Sequence, residues 1–215
     1  MIDHLFQRKG LCYGCGEEWI DDKYLCSTCL NRISPIGGRK KIKGRPLYFP
    51  YLYQGLIKEW IHRYKFQGHR YLYRVFVALL LDEVRLLQPE IITTVPVTPR
   101  RKRERGYNPP ELIAREIGKK LDIPFYDFVE KTKNTKDQHL ISLDEKRKNL
   151  DDAFRLKKEI PKKEILLFDD VVTSGTTMER MMEAMVKVEQ ISLLAICSKK
   201  PTEYDRYYLG SQRFP

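Results

Sequence analysis

The sequence predicts an α/β fold: a mainly parallel, doubly wound sheet flanked by helices, with a small cysteine-bearing module ahead of it. Two observations carry that prediction. Short apolar or β-branched runs at 91–97, 165–168 and 192–198 are bounded by loop residues, as suits strands buried on both faces. The segments between them place apolar residues at helical spacing, so strand and helix alternate. A chain of 215 residues is long enough for one good core plus a small appendage.

Taken in order, the first element is Cys12-Tyr13-Gly14-Cys15 followed by Cys26-Ser27-Thr28-Cys29. Two Cys-x-x-Cys pairs with ten residues between them can set four thiolates tetrahedrally around one Zn²⁺. Four sulfur ligands leave no open position for water, so the expected zinc is structural. Disulfides are the competing use of the same residues, and they belong to oxidising compartments. The chain has no run long enough to span a bilayer, and residues 1–10 lack the apolar region of a signal peptide. A cytoplasmic protein with reduced thiols is the expectation. Residues 1–35 are read as the zinc-binding module. Residues 36–50, rich in Gly, Pro, Lys and Arg, are read as a linker.

The main domain is expected over 51–215. Leu56, Ile57, Trp60, Ile61 and Tyr64 share one helical face, and Leu72, Val75, Phe76, Leu79, Leu80 and Leu87 share another. These two helices, within 51–90, are assigned to a hood over the sheet. Lys58, Arg63 and Lys65 read as a solvated face. The strand at 91–97 delivers Arg100-Arg101-Lys102-Arg103-Glu104-Arg105-Gly106-Tyr107, with five cations in six positions. Ligands of α/β sheets sit outside the carboxyl ends of the strands. A basic loop placed there suits a pyrophosphate or a nucleic-acid backbone, and Tyr107 suits base stacking. Further on come a helix over 110–121, a short strand over 124–129, a long polar stretch over 131–149 and a strand at 153–156. Cys197 reads as a buried bystander in the last strand. The four histidines are scattered and form no acid–base pair.

The densest signal is Ile165-Leu166-Leu167-Phe168-Asp169-Asp170-Val171-Val172-Thr173-Ser174-Gly175-Thr176-Thr177. A buried strand ends in two carboxylates and a hydroxyl-rich loop, and Met178, Met181, Met182 and Met185 then give a helix its apolar face. A helix N-terminus preceded by glycine is a ready phosphate seat. The acidic pair can accept hydrogen bonds from sugar hydroxyls or hold Mg²⁺ beside a pyrophosphate. A capping box over Thr176-x-x-Glu179 explains the hydroxyl and the glutamate, but not the carboxylates.

Strand, acidic pair and Thr-Ser-Gly-Thr-Thr resemble the phosphoribosyl-pyrophosphate loop of type I phosphoribosyltransferases. The resemblance implies that Asp169 and Asp170 face the ribose hydroxyls, while Val171, Val172, Thr173, Ser174, Gly175, Thr176 and Thr177 form the phosphate-binding loop. Over nearly the whole chain, the four-cysteine knuckle, Tyr53-Gln54-Gly55, Lys65-Phe66-Gln67-Gly68, Arg105-Gly106-Tyr107-Asn108 and the terminal loop together resemble the ComF family. The family's usual Arg-Gly-Phe-Asn-Gln stands here with Tyr107 and Pro109, and its Arg-x-x-Asn stands as Lys146-x-x-Asn149.

The implied protein has a type I phosphoribosyltransferase-like sheet and serves DNA uptake in natural transformation. It binds incoming single-stranded DNA beside a competence helicase or translocase, on the cytoplasmic side of the membrane. Arg100, Arg101, Lys102, Arg103, Arg105 and Tyr107 would grip pyrophosphate or DNA. Cys12, Cys15, Cys26 and Cys29 would hold Zn²⁺, and Mg²⁺ would accompany phosphoribosyl pyrophosphate. The alternative is a working Mg-dependent transferase with an unidentified acceptor, the 131–149 stretch closing over its site. A formal net charge of +11 suits a polyanionic partner under either reading.

Overall fold

The protein is described by a computed structural model over residues 10–20, 24–33, 37–131, 154–185, 188 and 190–199. The apolar runs at 165–168 and 192–198 become the central strands β7 (Ile165–Val172) and β8 (Ile191–Ser198), paired in parallel from Ile165–Ile191 to Val172–Ser198. β4 (Ile91–Thr94) lies parallel on the other side of β7. The opposite flank of β8 takes β2 (Arg45–Phe49) and the short β3 (Tyr51–Leu52), both parallel to it. β1 (Gly38–Ile42) closes that edge antiparallel to β2, giving the order β1-β2-β8-β7-β4.

The residues expected as a linker are therefore a hairpin of the main sheet. Lys43 and Gly44 both have positive φ, 47° and 79°, as a two-residue turn matched to the twist of a hairpin requires. Leu47 and Phe49 point inward while Lys41 and Pro46 stay exposed. Alternation on an edge strand, with a polar outer face, is easily mistaken for a polar connector.

The helices α1 (Ser27–Arg32), α2 (Gly55–Phe66), α3 (Tyr73–Leu87), α4 (Pro99–Arg105), α5 (Pro109–Leu121) and α6 (Thr176–Ala184) cover the sheet. Side chains alternate across β7, so Leu166 and Phe168 join a core with Trp60, Phe76 and Ile113 on one face. Ile165 and Leu167 join Met178, Met181 and Met185 on the other. The methionines are thus core packing, as their spacing predicts.

Two other expectations change. The strand read at 124–129 divides. Phe125 makes an isolated parallel bridge to Ile92, and β5 (Val129–Lys131) pairs antiparallel with β6 (Phe154–Leu156). The segment at 154–156 therefore pairs in a separate two-stranded sheet and not in the main one. Residues 132–153, most of the long polar stretch, lie outside the described residues, as do residues 200–215. Among the described residues, no helix is long and apolar enough to cross a membrane.

Candidate functional site

Neighbouring strands β4 and β7 both end at one open cleft of about 610 Å³. Val95, Pro96, Val97 and Thr98 supply one wall, Asp169, Asp170, Val171 and Thr177 the floor, and Tyr64, Lys65 and Phe66 the opposite rim. The position follows from the fold, because parallel strands leave their loops together at the carboxyl end. Of the sequence run that reads as strand, acidic pair and phosphate loop, Asp169, Asp170, Val171 and Thr177 line this cleft, while Thr173, Ser174, Gly175 and Thr176 are not among its lining residues.

Asp170 is buried at 5% exposure and Asp169 is half-buried. The Lys65 ammonium, at the last turn of α2, lies 2.6 Å from Asp170 Oδ1. The Asp170 backbone N–H donates to Asp169 Oδ1 at 2.8 Å. Burial and the adjacent Asp170 charge push the Asp169 carboxyl up to about 7, against the opposing pull of Lys65, that N–H and Lys131. Burial and the Arg101 charge push the Lys131 ammonium down. The floor of the cleft is a cluster of partly desolvated charges of both signs, of the kind found where a ligand is to be met.

β7 runs to Val172, and Gly175 then turns the chain at φ 90° to cap α6. A Cβ at Gly175 would meet Ile42 Cδ1 at 2.7 Å, so the loop lies tight against the hairpin. Ser174 Oγ and Thr176 Oγ1 are 2.8 Å apart, and Thr173 O accepts from Lys40 Nζ at 2.6 Å. Val172 is buried, whereas Val171 and Thr177 reach the cleft. The capping-box reading does not hold: the cap is Gly175, and Thr176 is the first helical residue.

The basic run is a helix, not a loop. Thr98 caps it by accepting from the Arg101 N–H at 3.3 Å, Pro99 opens it, and Gly106 at φ 78° ends it. Helical geometry sorts its cations. Arg101 and Arg105 face the cleft, while Arg100 turns to Glu104 at 2.7 Å and Lys102 to Glu111 at 3.5 Å. Arg103 is exposed. Tyr107 is half-buried: its hydroxyl donates to Tyr64 O, its ring lies 5.3 Å from that of Tyr64, and Arg70 sits 5.6 Å above it. Tyr107 lines the cleft too, but its ring is packed as a buttress between α2 and α4 and is only partly open. Cys197 is buried behind the floor, its thiol pushed up by burial and by Asp170.

The sulfurs of Cys12, Cys15, Cys26 and Cys29 lie within 4.8 Å of one another. Gly14 N–H and Cys26 N–H each donate to Cys12 Sγ at 3.3 Å, and Cys29 N–H donates to Cys26 Sγ at 3.4 Å. Converging thiols whose sulfurs accept backbone N–H groups fit a metal held as thiolates. Burial pushes the Cys26 thiol up to about 11 and raises that of Cys29 further. At Cys12 burial acts the same way, but the N–H groups outweigh it and the thiol falls below its ordinary value. The cluster is not a separate lobe: Cys12, Leu25, Cys26, Cys29 and Ile33 share one apolar core with Trp60 and Phe76. Trp60 Nε1 and Arg63 Nη1 both donate to Gly14 O, at 3.2 and 2.9 Å.

Residues 111–210 match the phosphoribosyl transferase domain. Competence protein F of Haemophilus influenzae is 32% identical over 195 residues, covering 85% of this chain and 82% of that protein. This chain belongs to the competence protein F family. The DNA utilization protein YhgH of Escherichia coli K12 is 28% identical over 195 residues, covering 83% of this chain and 85% of that one. Competence protein ComFC of Streptococcus pneumoniae is 27% identical over 135 residues, 63% of this chain and 59% of its own. A purine phosphoribosyltransferase structure from Pyrococcus horikoshii superposes on 60% of the chain and 74% of its own at 16% identity and a TM-score of 0.40.

Sequence reasoning treated Arg63 and Lys65 as solvated, yet one ties α2 to the cysteine cluster and the other binds the acidic pair. It quoted Phe66 within Lys65-Phe66-Gln67-Gly68 but gave it no role, whereas Phe66 lies off the apolar stripe of α2 and lines the cleft at 65% exposure. The signal was there: Phe66 ends α2 two residues before Gly68, where a solvated face has no use for a large ring.

Proposed function

We infer that this protein handles single-stranded DNA in DNA uptake, and that its cleft seats a ribose-phosphate group at the end of β7. The observation that carries the reading is the convergence of Asp169, Asp170, Val171, Thr177, Arg101 and Arg105 on one open cleft. The names of its relatives, competence protein F and DNA utilization protein, support the same process.

In this reading the loop over Val171, Thr173, Ser174, Gly175, Thr176 and Thr177 holds a phosphate at the N-terminus of α6. Asp169 and Asp170 orient ribose hydroxyls and accept the Mg²⁺ that accompanies phosphoribosyl pyrophosphate. Arg101 and Arg105 neutralise pyrophosphate or the DNA backbone, while Arg100, Lys102 and Arg103 add to the field farther out. Cys12, Cys15, Cys26 and Cys29 hold a structural Zn²⁺, whose cross-link fixes the knuckle on which α2 is seated. The protein works at the cytoplasmic side beside a DNA helicase or translocase.

The test is fluorescence anisotropy of a labelled single strand across a salt series, with and without phosphoribosyl pyrophosphate and Mg²⁺. Salt-sensitive binding that the small ligand displaces supports a shared site; absence of binding at moderate salt overturns the DNA role.

The raised Asp169 carboxyl favours one further reading, a working transferase. An acceptor would form a bond to the anomeric carbon as the carbon–oxygen bond to pyrophosphate breaks, with Arg101 and Arg105 taking up the charge of the leaving group. Release of pyrophosphate in the presence of candidate acceptors tests it.

A further inference from the structure

The geometry points to Phe66 as a base-stacking site at the mouth of the cleft, taking a nucleobase of single-stranded DNA. This rests on the DNA-handling reading and gives it an aromatic contact that the sequence had assigned to Tyr107.

Phe66 is the last residue of α2, and 65% of its surface remains in solvent. A large ring left in water at a helix end forgoes its burial energy, and one scattered ring would need no explanation. Phe66 is not scattered. It lines the cleft, and the Arg105 guanidinium lies 5.1 Å from its centroid, covering part of it with positive charge. His62, one turn earlier on α2, stands 5.2 Å away at a tilt of 45°. The ring is thus steadied by two neighbours and still mostly open.

Single-strand binding needs both a flat apolar face and cations spaced along the backbone. Here Arg101 and Arg105 line the cleft with the ring, Lys65 lines it while paired with Asp170, and Arg70 lies over the ring of Tyr107. Tyr107 itself has its hydroxyl bound and its ring packed between Tyr64 and Arg70. Trp19 is more exposed, at 80%, but is not among the residues that line the cleft. Among these aromatics, Phe66 alone combines an open ring with the cationic mouth.

The experiment measures affinity for a labelled oligo(dT) and for an abasic strand of equal length, using the full chain and the variants Phe66→Ala and Phe66→Trp. Phe66→Ala is expected to weaken oligo(dT) binding about 5- to 150-fold, the effect of about 1–3 kcal/mol for one stacked base. It should leave abasic binding and the salt slope unchanged, and Phe66→Trp should restore or strengthen oligo(dT) binding. An equal loss on both strands, or no loss on oligo(dT) while the wild type binds both, overturns the stacking site alone. A wild type that binds neither strand overturns the DNA-handling reading, and the stacking site with it.

Discussion

The cysteine knuckle and the cleft lie against the same helix and are built on opposite principles. At the knuckle, Cys12, Cys26 and Cys29 are buried, the Cys12 and Cys26 sulfurs accept backbone N–H groups, and the Gly14 carbonyl takes two donors from α2. At the cleft, two adjacent carboxyls are drawn out of water with the Lys65 ammonium against Asp170, and a phenyl ring stands open. One region satisfies its groups internally. The other keeps groups poorly satisfied, which is the usual condition of a site that completes itself with a ligand. Residues 60–66 of α2 join the two: Trp60 and Arg63 hold the knuckle, Tyr64 holds Tyr107 and Pro109, and Lys65 holds Asp170.

The largest effect that would sharpen this contrast is at the knuckle. Cys29→Ser, or treatment with a strong chelator, should lower the melting temperature by about 10 °C or more or cause aggregation, because the four cysteines and the core around Trp60 are one unit. Thermal unfolding followed alongside metal content checks it; an unchanged melting point would make the cysteines incidental. Gly14→Ala should act in the same place and direction by about 1–3 kcal/mol, since its Cβ would meet Trp60 Cζ2 at 2.6 Å and Cys29 Sγ at 3.0 Å.

The link itself comes next. Lys65→Met leaves Asp170 buried beside Asp169 without its cation, and should cost about 2–4 kcal/mol at pH 8 in urea unfolding. The loss should shrink toward pH 5 as Asp169, raised to about 7, takes up its proton and removes one of the two negative charges. A pH-independent loss would assign Lys65 a packing role instead.

The smallest effects separate the two sides of α4. Arg101→Ala and Arg105→Ala should each weaken single-strand binding and reduce its salt slope by about one. Arg100→Ala, whose guanidinium already faces Glu104, should change affinity less than about twofold. Equal effects from both sides would mean that DNA follows the whole helix and not the cleft.

Much of this was legible in the sequence, and for local reasons. Four apolar residues, two acids and a Gly-containing hydroxyl loop fix β7 and the α6 turn without help from the rest of the chain. Two Cys-x-x-Cys pairs likewise bring their thiols together over a short span. The hairpin at 38–49 and the basic helix at 99–105 were missed because Lys, Arg and Gly dominate them. Yet Thr98-Pro99 and Gly106 are ordinary start and stop signals for a helix, and the weight given to charge hid them. Lys65 with Asp170 was not legible at all, because the pair spans 105 residues and forms only when α2 crosses the end of β7.

Asp169 offers the most direct test of the central claim, that the cleft gives up stability to hold a ligand. Its carboxyl is raised to about 7 from an ordinary value near 4, so the folded protein binds the extra proton between those limits. The group's favourable contribution is complete below about 4 and is lost as pH rises through about 7. Ionised Asp169 is therefore a burden at pH 8. The measurement is thermal unfolding of the wild type and Asp169→Asn at pH 8, each with and without phosphoribosyl pyrophosphate and Mg²⁺. The variant should melt several degrees higher without ligand, at about 2–4 °C per kcal/mol, and should lose the rise that the ligand gives the wild type. A variant that melts lower, or that keeps the full ligand-induced rise, would contradict the account.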